Sequence, residues 1–225
     1  MPIILITGAD GQLGSEMKTL AKNYYGYDFI FTDIEQLDIT DAKKVSGFVS
    51  KNEPDWIVNC AAYNMVDKAE TEPEMAMLVN NTAVKNITDS ILGSDIKFIH
   101  ISSDYVFDGQ ANIPYDENAV TAPVTAYGRS KLEGEKAALA HSRPMIIRTS
   151  WLYSAYGNNF VKTVLRKAKE SEEIRVVFDQ TGNPTWAADL ADAIMKIISS
   201  VIRNLKAFNA GIYHYSNEGV CSWYD

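Results

Sequence analysis

The sequence predicts an α/β chain built on a doubly wound parallel sheet, followed by a smaller C-terminal lobe. Three observations lead there. Short, strongly apolar runs alternate with helix-period patterns over the first 150 residues. Runs that are apolar at every position, not at alternate ones, belong to strands covered on both faces, and strand–helix alternation with right-handed crossovers winds such strands into one parallel sheet. The chemistry-bearing motifs fall just after predicted strands, where this kind of sheet opens its ligand crevice.

The elements follow in order. Pro2–Thr7 is a β-branched strand that ends at Gly8. Residues 12–25 carry helical spacing at Leu13, Met17, Leu20, Ala21 and Tyr24. Phe29–Thr32 is the second strand, and Ala42–Ser50 is a helix with Thr40 or Asp41 as N-cap. Trp56–Cys60 is the third strand. Glu74–Leu92 is predicted as one long helix with Pro73 in its first turn. Ile96–Ile101 is the fourth strand, Thr125–Ala140 a helix and Met145–Arg148 the fifth strand. After residue 150 the pattern loosens into a helix over Phe160–Glu170, a strand over Ile174–Phe178, a helix over Leu190–Val201 and a short strand over Ile212–Tyr215. Two units are therefore expected, 1–150 and an interleaved lobe over 151–225.

Composition narrows the function. The chain has 225 residues, 46% of them hydrophobic and 22% charged, with 21 Lys and Arg against 29 Asp and Glu for a net charge of −8. That balance excludes disordered and collagen classes. It gives no electrostatic footprint for nucleic acid or an anionic membrane surface. An anionic ligand must be held by backbone N–H groups or single cations. Cys60 and Cys221 are far apart and form no metal or disulfide spacing, and Cys60 sits in an apolar run as a small hydrophobe. No signal peptide and no window of about 20 apolar residues is evident, so a reducing cytosol is the expected compartment.

Gly8-Ala9-Asp10-Gly11-Gln12-Leu13-Gly14 joins the first strand to the first helix. Gly8 permits the tight turn, Gly11 admits a pyrophosphate to the backbone, and Gly14 lets helix and strand approach. The phosphates meet exposed N–H groups and the positive helix end. Asp33 ends the second strand 19 residues after Gly14, the spacing of an acid that binds adenosine ribose hydroxyls and repels a 2′-phosphate. The predicted cofactor is therefore NADH or NADPH, with NADH favoured. Asp38-Ile39 in the next loop is placed to flank an adenine.

Tyr127 and Lys131 stand at i and i+4, on one helix face. A free tyrosine has a pKa of about 10, and a nearby ammonium is expected to lower it towards working pH. Lys131 can also hold nicotinamide ribose hydroxyls. Ser103 closes the fourth strand, where its hydroxyl can polarise a substrate carbonyl.

With these motifs the chain resembles the dTDP-4-dehydrorhamnose reductase family of extended short-chain dehydrogenases/reductases, a Rossmann-like fold. The matching segments run from end to end: ITGADGQLGSE, DWIVNCAAYNMVDKAE, ISSDYVFDG, YGRSKLEGE, RTSWLY, GNNFVKTVLR and DQTGNPTWAADLADAI. The resemblance implies hydride transfer from reduced nicotinamide to the C4 ketone of dTDP-4-dehydro-L-rhamnose. It implies Ser103, Tyr127 and Lys131 as catalytic residues, with Tyr127 giving the proton. Asp104 and Trp151 would contact the sugar. Gly11, Gln12, Leu13, Asp38, Ile39, Ala61, Ala62 and Tyr63 would line the cofactor, and Asn158 and Asn159 would approach the diphosphate or the base. The family continues beyond the position of Asp225, so the substrate-binding lobe is expected to be incomplete. Some members hold magnesium through glutamates; Glu16 fits one such position, Ala188 replaces another, and no metal is expected. A homodimer stays open.

His100 is expected to be a core or strand-face histidine, and His141 and His214 lack companion acids. Asp67, Glu70, Glu72 and Glu74 form an acidic group expected to be a solvated helix start. Tyr63, Met65 or Val66 would wall the nicotinamide pocket, and Trp151, Tyr153 and Tyr156 could stack on a sugar or base. Two other functions compete. A dehydratase or epimerase is one, and Tyr105 after Asp104, where elimination needs a Glu, argues against the dehydratase. The other is a non-catalytic cofactor-binding subunit of the methionine adenosyltransferase type, which the intact Ser103, Tyr127 and Lys131 disfavour.

Overall fold

The chain is described over residues 1–140 and 143–225 by a computed structural model. His141 lies outside the described residues. Ile3–Thr7 (β1) is flanked in the sheet by Asp28–Thr32 (β2) on one side and Trp56–Asn59 (β3) on the other. Lys97–Ser103 (β4), Pro144–Thr149 (β5) and the late strand Gly211–His214 (β9) extend the sheet, giving the order β2-β1-β3-β4-β5-β9 with every pair parallel. The chain reverses direction across the sheet between β1 and β3, the switch point at which this architecture opens its crevice.

The alternation of side chains along these strands divides the core in two. Ile4, Ile6, Val58, Ile99 and Ile147 point to one face, under Gln12–Ala21 (α1) and Ala187–Ile202 (α8). Leu5, Ile57, Phe98 and Ile146 point to the other, under Ala42–Asn52 (α2), Ala83–Ser90 (α5) and Ala126–Leu139 (α6). Each fully buried side chain of this kind contributes about 1.5–3 kcal/mol. Both faces are apolar because both are covered, which explains the uninterrupted runs.

Asp41 is the N-cap of α2, accepting from the amides of Lys43 and Lys44 at 2.9 and 3.1 Å. The expected long helix over 74–92 is interrupted. After the short Val66–Ala69 (α3) come Pro73–Met77 (α4), a π-helical turn over Leu78–Thr82, and then α5. The wider turn carries the buried Asn80, whose side chain binds the backbone of Tyr63. That tertiary demand overrides helical period.

Beyond residue 150 the layers are shared. α8 and β9 join the main helix layer and sheet, while Leu152–Tyr153 (β6) pairs with Thr185–Trp186 (β8), and Thr181–Gly182 (β7) with Cys221–Ser222 (β10). The expected strand over 174–178 does not form: the segment has no pairing partner among the described residues, and Val177 and Phe178 stay exposed. Phe160–Glu170 (α7) forms as expected. Among the described residues no helix is long and apolar enough to cross a membrane.

Candidate active site

The crevice begins at the glycine turn. Gly8 takes φ +64°, in the left-handed region, and a Cβ there would overlap the backbone of Ala61. A Cβ on Gly14 would overlap the Gly8 carbonyl and Ala9. The turn, α1 and the loop after β3 therefore touch backbone to backbone. Gly11 is the N-cap of α1 and brings no side chain to it, so the first-turn amides remain for an external anion. This cradle fits a dinucleotide pyrophosphate.

Of the other expected cofactor residues, Gln12, Asp33 and Ala61 adjoin the glycine turn. Gln12 donates to the Leu152 carbonyl at 3.3 Å and accepts from Asn159 at 2.9 Å, tying the turn to the segment before α7. The side chain of Leu13 is buried in the core, which leaves only its amide for a ligand. Asp33 accepts from the amides of Asp10 (2.9 Å) and Ile34 (2.8 Å), so its carboxylate sits against the glycine turn. Asp38 accepts from the Thr40 hydroxyl and amide, bonds that lower its pKa. Ile39 packs into the second core. Ala61 donates its amide to Asn59 at 3.2 Å, and Tyr63 is buried with its hydroxyl on Glu72 at 2.8 Å.

At the end of β4, Ser103 donates its hydroxyl proton to Asp104 at 2.9 Å and accepts from the Tyr105 amide at 3.2 Å. Tyr127, the second residue of α6, is buried and donates to Asn64 at 3.4 Å. Its ring meets that of Tyr105 edge-on at 5.3 Å. Burial raises the Tyr127 pKa, a hydrogen bond with Ser103 opposes this, and the charges of Asp104 and Tyr105 add to the rise. The expectation that Lys131 draws the phenol down is not met: desolvation is the largest effect, and the Lys131 ammonium, turned to the Ile101 carbonyl, does not count among the influences on the phenol. Lys131 is itself buried, donates to the Ile101 carbonyl at 2.7 Å, and has its pKa lowered to about 8 by that burial. Asp104 is raised to about 6, again chiefly by burial.

A polar framework lies beneath. Thr7 donates to Asn59 at 2.6 Å, and Asn59 donates to Nδ1 of the buried His100 at 3.1 Å, across β1, β3 and β4. Asn80 accepts from the Tyr63 amide (2.9 Å) and donates to the Tyr63 carbonyl (3.1 Å) and to Ser130 (2.9 Å). Ser130 in turn donates to the Tyr127 carbonyl at 2.7 Å. Arg148 and Glu135 form a buried two-pronged ion pair at 2.8 and 2.7 Å, and Ser102 donates to the same carboxylate at 2.6 Å. Sequence reasoning missed Asn64, Asn80, Glu135 and Arg148. The signal was weak: a charge within an apolar strand, and an Asn within a helical run.

A family model described as RmlD substrate binding domain matches residues 1–225. The chain belongs to this family. Within the RmlD family it is 40% identical over 226 residues to dTDP-4-dehydrorhamnose reductase of Aggregatibacter actinomycetemcomitans, covering 100% of this chain and 76% of the relative. It is 43% identical to the dTDP-4-dehydrorhamnose reductase of Escherichia coli K12, covering 99% and 75%. The crystal structure of the Bacillus anthracis dTDP-4-dehydrorhamnose reductase in complex with NADP superimposes with a TM-score of 0.91 at 42% identity, covering 99% of this chain and 78% of that one. The chain thus spans about three quarters of the length of these relatives. The resemblance drawn from the motifs is borne out.

In this RmlD-family chain Trp151 takes φ +45°, lies with its ring against Gly182 and stacks on Trp223 at 3.8 Å. Trp223 also meets Phe160 edge-on at 4.5 Å. One face of the Trp151 ring is therefore covered by another aromatic. Tyr156 exchanges a hydrogen bond with Thr19 at 3.0 Å. Glu16 accepts from Ser154 at 2.7 Å. His100 is a core histidine, as expected, with its pKa well below 6.5 through burial and the charge of Lys131. The acidic group after β3 is more than a solvated helix start: Glu70 binds the Ala126 amide and Glu72 the Tyr63 hydroxyl.

Proposed function

We propose that this chain reduces the C4 ketone of dTDP-4-dehydro-L-rhamnose to dTDP-L-rhamnose with NADH or NADPH. The observation that carries the reading is the buried Tyr127 phenol, which donates to Asn64 and feels Ser103 at the crevice that the glycine cradle opens. Bound reduced nicotinamide supplies the hydride to C4. Reduction also consumes a proton at the carbonyl oxygen, and a phenol whose pKa burial raises is held in the protonated, donating form. Tyr127 delivers that proton. Lys131, four residues on along the same helix face, holds the nicotinamide ribose hydroxyls. Ser103 steers the Tyr127 hydroxyl, and Asp104 and Trp151 contact the sugar.

Gly8, Gly11, Gln12, Leu13 and Gly14 hold the pyrophosphate, Asp33 the adenosine ribose, Asp38 and Ile39 the adenine, and Ala61, Ala62 and Tyr63 the nicotinamide half. Residues 1–150 with α8 and β9 form the dinucleotide unit, and the rest of 151–225 contributes the substrate side. The free thiols of Cys60 and Cys221 suit a reducing cytosol.

Following nucleotide oxidation with dTDP-4-dehydro-L-rhamnose tests the reading. Tyr127→Phe is expected to lower kcat by about 10²–10⁴-fold while the fold is kept. Turnover unchanged by that substitution, or cofactor binding with no turnover in the unaltered chain, would remove it. NADH is expected to bind more tightly than NADPH; the reverse order in a titration would discard the role given to Asp33.

A further inference from the structure

Helix α6 starts at Ala126, and Tyr127 follows at once. First-turn amides have no acceptor within their own helix. The Gly128 amide is taken by Thr125 Oγ1 at 3.0 Å. The Ala126 amide donates instead to Glu70 Oε1 at 2.6 Å, across 56 residues of sequence. Glu70 closes α3, which starts just after the loop that follows β3. Two residues on, Glu72 accepts from the Tyr63 hydroxyl at 2.8 Å. Ala69, just before Glu70, is fully buried among Tyr63, Ala76, Ala126 and Tyr127.

The turn over residues 66–72 is thus a bracket. One carboxylate grips the start of the helix that carries Tyr127. The other grips the loop that carries Asn64, which accepts from the Tyr127 hydroxyl at 3.4 Å. Glu70 itself is largely exposed, and its second oxygen lies 4.0 Å from the Arg129 guanidinium. A solvated ion pair of that length contributes little. The short bond to the helix amide is the feature with consequences, because a shift of about 1 Å in a catalytic group can cost on the order of 10²-fold in rate.

We propose that Glu70 is a positioning residue: through the Ala126 amide it fixes where the Tyr127 phenol stands relative to Asn64 and Ser103. The inference rests on the functional reading above, in which Tyr127 is the proton donor. Glu70 acts as an acceptor, so its charge is secondary.

Three variants of the full chain test this. Glu70→Ala removes the acceptor, and Glu70→Gln keeps an amide oxygen in its place. Ala126→Pro removes the donor from the other side. Proline is favoured at the first helical position, and Thr125, extended at ψ 156°, accepts a following proline. Glu70→Ala is expected to lower kcat by about tenfold to 10²-fold, with KM for the nicotinamide nucleotide within about twofold. Glu70→Gln is expected to recover most of the kcat. Ala126→Pro reproduces the loss, and the Glu70→Ala/Ala126→Pro double variant adds nothing to it. Amide exchange at Ala126, followed by NMR without cofactor, speeds up in Glu70→Ala and not in Glu70→Gln.

Wild-type kcat in Glu70→Ala overturns the proposal. So do a double variant whose losses multiply and a Glu70→Gln as damaged as Glu70→Ala. If Glu70→Ala does not fold, Glu70→Gln and Ala126→Pro still separate the outcomes. Absence of turnover in the unaltered chain is a failure of the functional reading, whereas unchanged exchange at Ala126 is a failure of this one.

Discussion

Helices α6 and α7 invert the relation between pattern and burial. α7 is the more strongly amphipathic, with Phe160, Val161, Val164 and Leu165 along it, yet none of its residues is buried. α6 carries Ser130, Lys131 and Glu135 in its interior face, and all three are buried. Apolar periodicity states which face a helix can bury. What buries it is a partner surface, and for α6 that surface supplies acceptors and donors as well as apolar contact: the Ile101 carbonyl for Lys131, Arg148 and Ser102 for Glu135, Asn80 for Ser130. Polar groups so satisfied can be taken out of water without the penalty of an unpaired one.

The comparison predicts a descending series of effects. Arg148→Met leaves the buried Glu135 carboxylate without its cation and should cost about 3–5 kcal/mol in urea unfolding; a cost under about 1 kcal/mol would mean that α6 is held like any surface helix. Gly134→Ala comes next. Its methyl would overlap the Asn80 carbonyl oxygen, and overpacking of this kind costs about 1–3 kcal/mol; an unchanged denaturation midpoint would deny the close approach of α6 to the π turn.

A smaller, pH-dependent effect is expected at Asp104, in the short 3₁₀ turn Asp104–Val106 beside α6. Its pKa is raised from 3.8 to about 6 in the folded chain, so ionisation costs stability as pH climbs through that window and the full cost remains above it. Asp104→Asn removes the cost: it should raise Tm at pH 8, and the gain should shrink from pH 6 downwards and vanish near pH 4. A gain that grows on acidification would reverse the sign. Smallest of all, Leu165→Ser on the exposed face of α7 should change stability by no more than about 0.5 kcal/mol; a loss of several kcal/mol would show that α7 has a buried partner.

Much of the fold was legible because parallel strands buried on both faces must be apolar at every position. β1 to β5 stand out for that reason, and β9 follows from Ile212. The glycine turn was legible because only glycine tolerates φ +64° with backbone on its Cβ side. The π turn was not, since Leu78 to Thr82 continue a helical pattern and only Asn80 meeting Tyr63 explains the extra residue. The strand expected over 174–178 failed for want of a neighbour, which no local run of Ile, Val and Phe can supply.

The sequence by itself settled the sheet and the glycine turn, and it put Tyr127 and Lys131 on one helix, because burial on two faces, tight turns and i, i+4 spacing are local consequences of residue type. Only the tertiary structure decided how those residues are tuned. Desolvation raises Tyr127 without an opposing contribution from Lys131, and Glu70 and Asn80 reach the helix that carries Tyr127 from distant segments. The strength of a charge and the partner of a donor depend on what surrounds them in space, and neither is written in the order of residues along the chain.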